Sequence, residues 1–130
     1  PERTWNDLEN DTLVTKLTAG NRSFLFMGDA GEPMEQALED TNHLEQSDVL
    51  FVGNHGSLSA TSIDFLDAVK PTYAVISVKG DNSGENPSDA ILTRLSSRGI
   101  ILYRTDVTQT ITIQTDGQGL RVVNEKGEEI

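Results

Sequence analysis

The sequence predicts an α/β fold: a mixed sheet with three strand-to-helix (βα) units in succession and hairpins at its edges. Short runs rich in Val, Ile, Leu, Phe and Tyr recur along the chain, each too short for a helix. Between them lie stretches with apolar residues at helical spacing, introduced by capping residues and ended by Gly or ahead of Pro. At 130 residues there is chain for one core but not two, so these units share one domain.

Residues 1–10, PERTWNDLEN, are polar around a single Trp5 and read as a lead-in. TLVTKLT (12–18) and RSFLFM (22–27) are strand-like and joined through Ala19-Gly20-Asn21, a hairpin signal. The second run enters Gly28-Asp29-Ala30-Gly31. Pro33 then suits a first helical position, with Met34, Ala37, Leu38, Thr41 and Leu44 at helical spacing. After Asp48, VLFV (49–52) is a short buried strand. Ser62 offers an N-cap, and Ile63, Leu66 and Val69 form one face of a helix that stops before Pro71. The third unit has YAVISV (73–78), the loop KGDNSGEN (79–86), and a helix capped by Asn86 with Pro87 at its first position. Ile91, Leu92 and Leu95 point inward there, and Gly99 ends the helix. IILYRT (100–105), TITIQT (110–115) and LRVV (120–123) follow, the last two joined by the turn Asp116-Gly117-Gln118-Gly119. The folded part is expected over residues 11–123, with a solvated polar tail at 124–130. Such a succession favours a parallel core sheet with right-handed crossovers.

Apolar residues make up 35% of the chain and charged residues 24%, which points to a thin core under a polar surface. No run approaches the ~18 apolar residues of a membrane-spanning helix, and no basic-then-apolar leader opens the sequence. A soluble domain with no membrane contact is expected, in a compartment the sequence does not fix. The start at Pro1 suggests processing or excision from a longer protein. Without cysteine, disulfides and thiolate zinc sites are excluded. The net charge of −11 repels nucleic acid and anionic membranes, so a phosphate partner would need a metal or a local basic patch. Only four of the ten bases are lysine and threonine is frequent, a pattern that suits high salt. On that hypothesis thermal stability rises from low to molar salt, and a flat response would count against it.

In sheets of this kind ligands bind outside the carboxyl ends of the strands. Three loops should share that rim: Gly28-Asp29-Ala30, Asn54-His55-Gly56-Ser57, and Asp81 through Asn86. Asp29 and His55 supply a carboxylate and an imidazole, the kinds of donor that hold hydrolytic metals, although zinc sites take three or more protein ligands. Asp81, Asn82, Glu85 and Asn86 add oxygen donors. Other roles stay open from the residues alone: Asp29 could satisfy helix amides, His55 could pack over Gly56, and Asn86 could serve only as a cap. His43 reads as exposed. Ser57, His55 and Asp29 suggest a serine triad, but no G-x-S-x-G elbow is present. The loop from Gly80 to Gly84 lacks the lysine of a phosphate-cradling loop, and aromatics at 5% argue against a nucleic-acid surface.

Taken together, LVTKLT (13–18), SFLFMGDA (23–30), DVLFVGNHGSLSATSIDFLDAVKPTYAVISV (48–78) and NSGENPSDAILTRLSSRGIILYRTD (82–106) resemble the metallo-β-lactamase-like hydrolase domain of the competence protein ComEC family. The resemblance runs from residue 10 to about 116 and implies the C-terminal half of an αββα sandwich. It also implies a Zn- or Mn-dependent phosphodiesterase or nuclease acting in DNA uptake, in which the metal would acidify a bound water. Asp29 matches the family's Gly-Asp motif and is implied as a metal ligand. His55 and Ser57 match the second histidine and the serine of a motif usually written HHGS.

Three departures qualify what the resemblance implies. Asn54 stands where the first histidine of HHGS would be. Gly84-Glu85-Asn86-Pro87 replaces Y-G-H-P, so that Asn86 takes a histidine's place. The H-x-H-x-D-H motif does not occur in these residues. Glu85 could supply a replacement carboxylate, giving at best a weak site with Asp29 and His55. Two readings follow. One is half of a metallohydrolase that needs ligands from another chain or segment and is inactive alone. The other is a non-catalytic or engineered module that keeps the half fold for binding or assembly. Both predict a homo-oligomer or a complementary chain covering the face left bare.

Overall fold

The computed structural model describes residues 11–80 and 85–130; the lead-in with Trp5, and Asp81, Asn82, Ser83 and Gly84, lie outside the described residues. β1 (Thr15–Ala19) and β2 (Arg22–Phe26) form an antiparallel hairpin. Gly20 turns it at φ +58, and Asn21 N–H donates to Gly117 O at 2.7 Å. A Cβ at Gly20 would lie 2.6 Å from that same oxygen, so the two hairpin turns touch backbone to backbone. β3 (Val49–Phe51), β4 (Tyr73–Ile76) and β5 (Ile101–Arg104) add in parallel, giving the sheet order β1-β2-β3-β4-β5.

The central strands are apolar on both sides, as expected where both faces of a parallel sheet are covered. Leu25, Leu50, Ala74 and Leu102 stand in register on one face. Against it pack Met34 and Leu38 of α1 (Glu32–Asp40), Phe65, Leu66 and Val69 of α2 (Ile63–Val69), and Ile91 and Leu95 of α3 (Asp89–Ser97). On the other face one row runs Leu17, Phe24, Val49, Tyr73 and Ile101, and a second runs Phe26, Phe51, Val75 and Tyr103. The Phe26 and Phe51 rings stack with centroids 4.2 Å apart.

The caps at α2 and α3 follow the sequence pattern. Ser62 Oγ accepts from Phe65 N–H at 3.1 Å, and Lys70 takes a left-handed conformation ahead of Pro71. Gly99 closes α3 at φ +68.

Other boundaries differ from expectation. α1 begins at Glu32, with Gly31 at its N-cap, and ends at Asp40. Leu44 therefore reaches the core from the following loop, after Asn42 has turned the chain at φ 55. α3 begins after Ser88, not at Asn86. Pro87 packs on Gly56, and Ser88 N–H donates to Gly56 O at 2.9 Å, so the Asn-Pro pair docks a loop rather than starting the helix. A short helix not expected from the sequence, α4 (Thr105–Thr108), ends β5. It is stitched to the end of β4 by Thr105 Oγ1, which accepts from Val78 N–H at 2.8 Å and donates to Val78 O at 2.9 Å.

β6 (Thr112–Thr115) and β7 (Leu120–Val123) do not extend the sheet edge as expected; they form a separate two-stranded sheet. Ile111, Ile113 and Leu120 belong to the cluster around Phe24, Val49 and Val75, so burial of the aromatic face draws the hairpin over the sheet. Residues 124–130 are mostly exposed yet fold back, Ile130 N–H donating to Val122 O at 3.0 Å and Tyr103 OH to Ile130 O at 3.0 Å. Among the described residues no helix is long and apolar enough to cross a membrane.

Candidate functional site

The carboxyl ends of β2, β3, β4 and β5 meet at one rim. After β2, Gly28 turns at φ +58, and Thr12 Oγ1 accepts from Asp29 N–H at 3.3 Å. After β3 the chain makes a 3-10 turn over Gly53–Gly56. Within it Asn54 (φ 48), His55 (φ 56) and Gly56 (φ 77) are successively left-handed. Each non-glycine residue in that region costs on the order of 1 kcal/mol, and asparagine is among the types that enter it most readily. Asn54 thus has a conformational reason to precede His55. Its backbone ties two loops: Asn54 N–H donates to Gly28 O at 2.9 Å, and its carbonyl accepts from Ser57 N–H at 2.9 Å.

This turn aims His55 across the rim. Nδ1 lies 2.7 Å from Ser77 O at the end of β4, and since a carbonyl only accepts, Nδ1 carries the proton of that bond. Nε2 then faces Asp29 Oδ1 at 3.6 Å. In the neutral ring Nε2 is an acceptor set opposite another acceptor, an arrangement completed by a proton or a cation. The two side chains are 55% and 61% exposed, so the pair adds little to stability.

The remaining expected residues divide. Gly31 stands at the N-cap of α1, and the Asp29 carboxylate turns to His55 instead. Ser57 Oγ pairs with Ser59 Oγ at 3.0 Å and not with the imidazole, so no serine triad is assembled. Asn86 is half-buried beside Pro87, and Glu85 is exposed. His43 is exposed, its Nδ1 2.9 Å from Thr41 Oγ1. Among the described residues no three His, Asp or Glu side chains are gathered closely enough to hold a metal ion. Among the described residues Asp29 and His55 are thus two donors where Zn²⁺ or Mn²⁺ would need at least three, and this described pair does not by itself fit the ion.

Two features of the rim and its support were not read from the sequence. At the end of β5, Arg104 Nη2 donates to Asp106 Oδ2 at 2.6 Å and Nε to Oδ1 at 3.0 Å. This fork holds the Asp106 carboxyl below its ordinary range. Behind the rim, Glu35 of α1 is 3% exposed and accepts from Thr61 N–H at 2.6 Å and Ser62 N–H at 2.9 Å. Burial raises its pKa, opposed by those two amides. Its sequence signal was an acid three residues before Leu38, on the apolar stripe of its helix.

An α/β domain with a strand-end Asp–His pair is what the fold and rim define. No protein-family model matches the chain. It is 36% identical over 109 residues to competence protein ComA of Neisseria gonorrhoeae, a match that takes in 82% of this chain and 16% of that protein. It is 32% identical over 102 residues to ComE operon protein 3 of Bacillus subtilis, covering 78% of this chain and 13% of the relative. Recombination protein 2 of Haemophilus influenzae is 40% identical over 84 residues, with 65% and 10% covered. The chain spans 16% or less of the length of these three relatives. The chain belongs to the family of these competence proteins.

Proposed function

We propose that this chain is the C-terminal half of a ComEC-like metallo-β-lactamase-fold hydrolase domain, of the phosphodiesterase or nuclease class and serving DNA uptake. Its metal site is depleted, and it does not turn over substrate alone. The observation that carries the reading is the His55 imidazole, with Nδ1 spent on Ser77 O and Nε2 presented to Asp29 at 3.6 Å. An Nδ1–H bonded to a carbonyl fixes the ring as metal-binding histidines are fixed, leaving Nε2 as the donor atom. Two apolar rows across the second sheet face suit the inner layer of a sandwich. Bound metal would acidify water and polarise a phosphoryl oxygen; this chain's contribution is to hold two donors at a fixed separation.

The test is titration with Mn²⁺ and Zn²⁺ alongside hydrolysis of bis-(p-nitrophenyl) phosphate. The expected result is no micromolar binding and no turnover, with a gain in affinity for the double variant Asn54→His, Asn86→His. Turnover by the unaltered chain would overturn inactivity alone, and unchanged affinity in the double variant would overturn the convergence of the loops.

A second reading, a non-catalytic module that self-associates, is favoured by Leu17 and Ile101, 52% and 47% exposed at opposite ends of one apolar row. It predicts dimers in sedimentation that Ile101→Lys disperses; a monomer at high concentration would refute it.

A further inference from the structure

Glu35 is the one fully buried residue of α1, and among the described residues no ion pair neutralises it. A buried carboxylate is costly unless its oxygens are well satisfied. Both go to the amides of Thr61 and Ser62, at the far end of the loop that leaves His55. Thr61 is itself left-handed at φ 59, a strained setting for a β-branched residue, and is 1% exposed. The loop is held on two further sides: Glu32 N–H donates to Ser59 O at 2.9 Å, and Arg94 Nη1 donates to Thr61 O at 2.7 Å.

A continuous run of bonds links this clamp to the site. Ala60 N–H donates to Ser57 O at 3.1 Å, Ser57 N–H to Asn54 O, and Asn54 N–H to Gly28 O, the residue before Asp29. Strained backbone persists only where its surroundings over-determine it. The Asn54-His55 turn is restrained in front by Gly28 and Ser77, and behind both by Pro87 and Ser88 docked on Gly56 and by the run through residues 57–62 to Glu35.

We propose that Glu35 is a positioning residue for the Asp29–His55 pair: its carboxylate clamps residues 61 and 62 to α1 and so holds the left-handed turn that aims the imidazole. The geometric part stands without a metal, and only the Mn²⁺ arm of the test rests on the functional reading above.

The experiment is ¹⁵N NMR of the His55 ring with amide hydrogen exchange, on the unaltered chain, Glu35→Gln, Glu35→Asp and Val122→Ala. The last removes buried volume from β7 and serves as a control for lost stability alone. Glutamine offers one oxygen to two amides. The expected result is a smaller share of the Nδ1–H tautomer and exchange at Asn54 and Ser57 at least about tenfold faster. Aspartate, which keeps both oxygens, should partly restore both, and Val122→Ala should leave both unchanged. Broadening of His55 signals by Mn²⁺ should require about tenfold more ion in Glu35→Gln. If Glu35→Gln matches Val122→Ala at equal stability, Glu35 is merely structural and the proposal falls. If Glu35→Gln does not fold, Glu35→Asp decides: unchanged His55 signals with lowered stability overturn the proposal. Absence of Mn²⁺ broadening in the unaltered chain overturns the metal reading, while the tautomer and exchange arms still judge Glu35.

Discussion

Replacing Gly56 by alanine tests the packing of the His55 loop against a control built into the same chain. Gly56 and Gly99 are both left-handed, at φ +77 and +68. A Cβ at Gly99 meets nothing within 4 Å, whereas a Cβ at Gly56 would lie 2.8 Å from Pro87 Cβ and 3.3 Å from Ile76 Cδ1. Alanine in the left-handed region costs roughly 1–2 kcal/mol, offset in part by about 0.4–1 kcal/mol from the stiffer unfolded chain. Gly99→Ala should therefore lose about 1 kcal/mol. Gly56→Ala carries the same strain plus overpacking of about 1–3 kcal/mol, because proline Cβ is not the free end of a flexible side chain. The expected loss is about 2–4 kcal/mol. In urea, with a slope of roughly 1–3 kcal/mol per molar, the two midpoints should separate by about 1 M. Equal losses would refute the docking of the 86–88 segment on Gly56, and with it the account of why α3 starts late.

Two further outcomes are expected. Asp106→Asn should cost about 2–4 kcal/mol at neutral pH, because the Arg104 guanidinium is left without its carboxylate. With the Asp106 pKa held below its ordinary 3.8, the pair's contribution is complete above that value and lost as pH falls through the folded one. The variant's stability should accordingly be flatter in acid, as urea midpoints at pH 7 and pH 3 would reveal. His55→Ala keeps the backbone strain and forgoes one bond to Ser77 O, so it should cost no more than about 1 kcal/mol. A larger loss by thermal denaturation would mean that the histidine is a structural residue and not a presented ligand.

Much of the sheet was legible because its signals are local. Gly20, Ser62, Pro71 and Gly99 each act through their own backbone or that of a near neighbour, so turn and cap chemistry located them. The Asn86-Pro87 pair misled because its partner, Gly56, is thirty residues away in sequence. The β6–β7 hairpin was recognised but set at the wrong place: alternation reports that a strand has an apolar face, not what the face will cover. At the rim, Asp29 and His55 were named from residue type and strand-end position, and the structure brings them together. The left-handed run at Asn54-His55 and the burial of Glu35 were not legible, since both depend on bonds between distant segments.

The touching hairpin turns bear on how the chain is made. The backbone oxygen that caps Asn21 belongs to Gly117, and Arg22 Nε donates to Gln118 O, so the first hairpin is synthesised well before the segment it docks on. The rows containing Phe24, Phe26, Phe51 and Tyr73 can meet Ile111, Ile113 and Leu120 only once those residues, far later in the chain, have emerged. At roughly 5–20 residues per second, several seconds separate the aromatic rows from the hairpin that packs on them. The last hairpin is in this sense a closing patch.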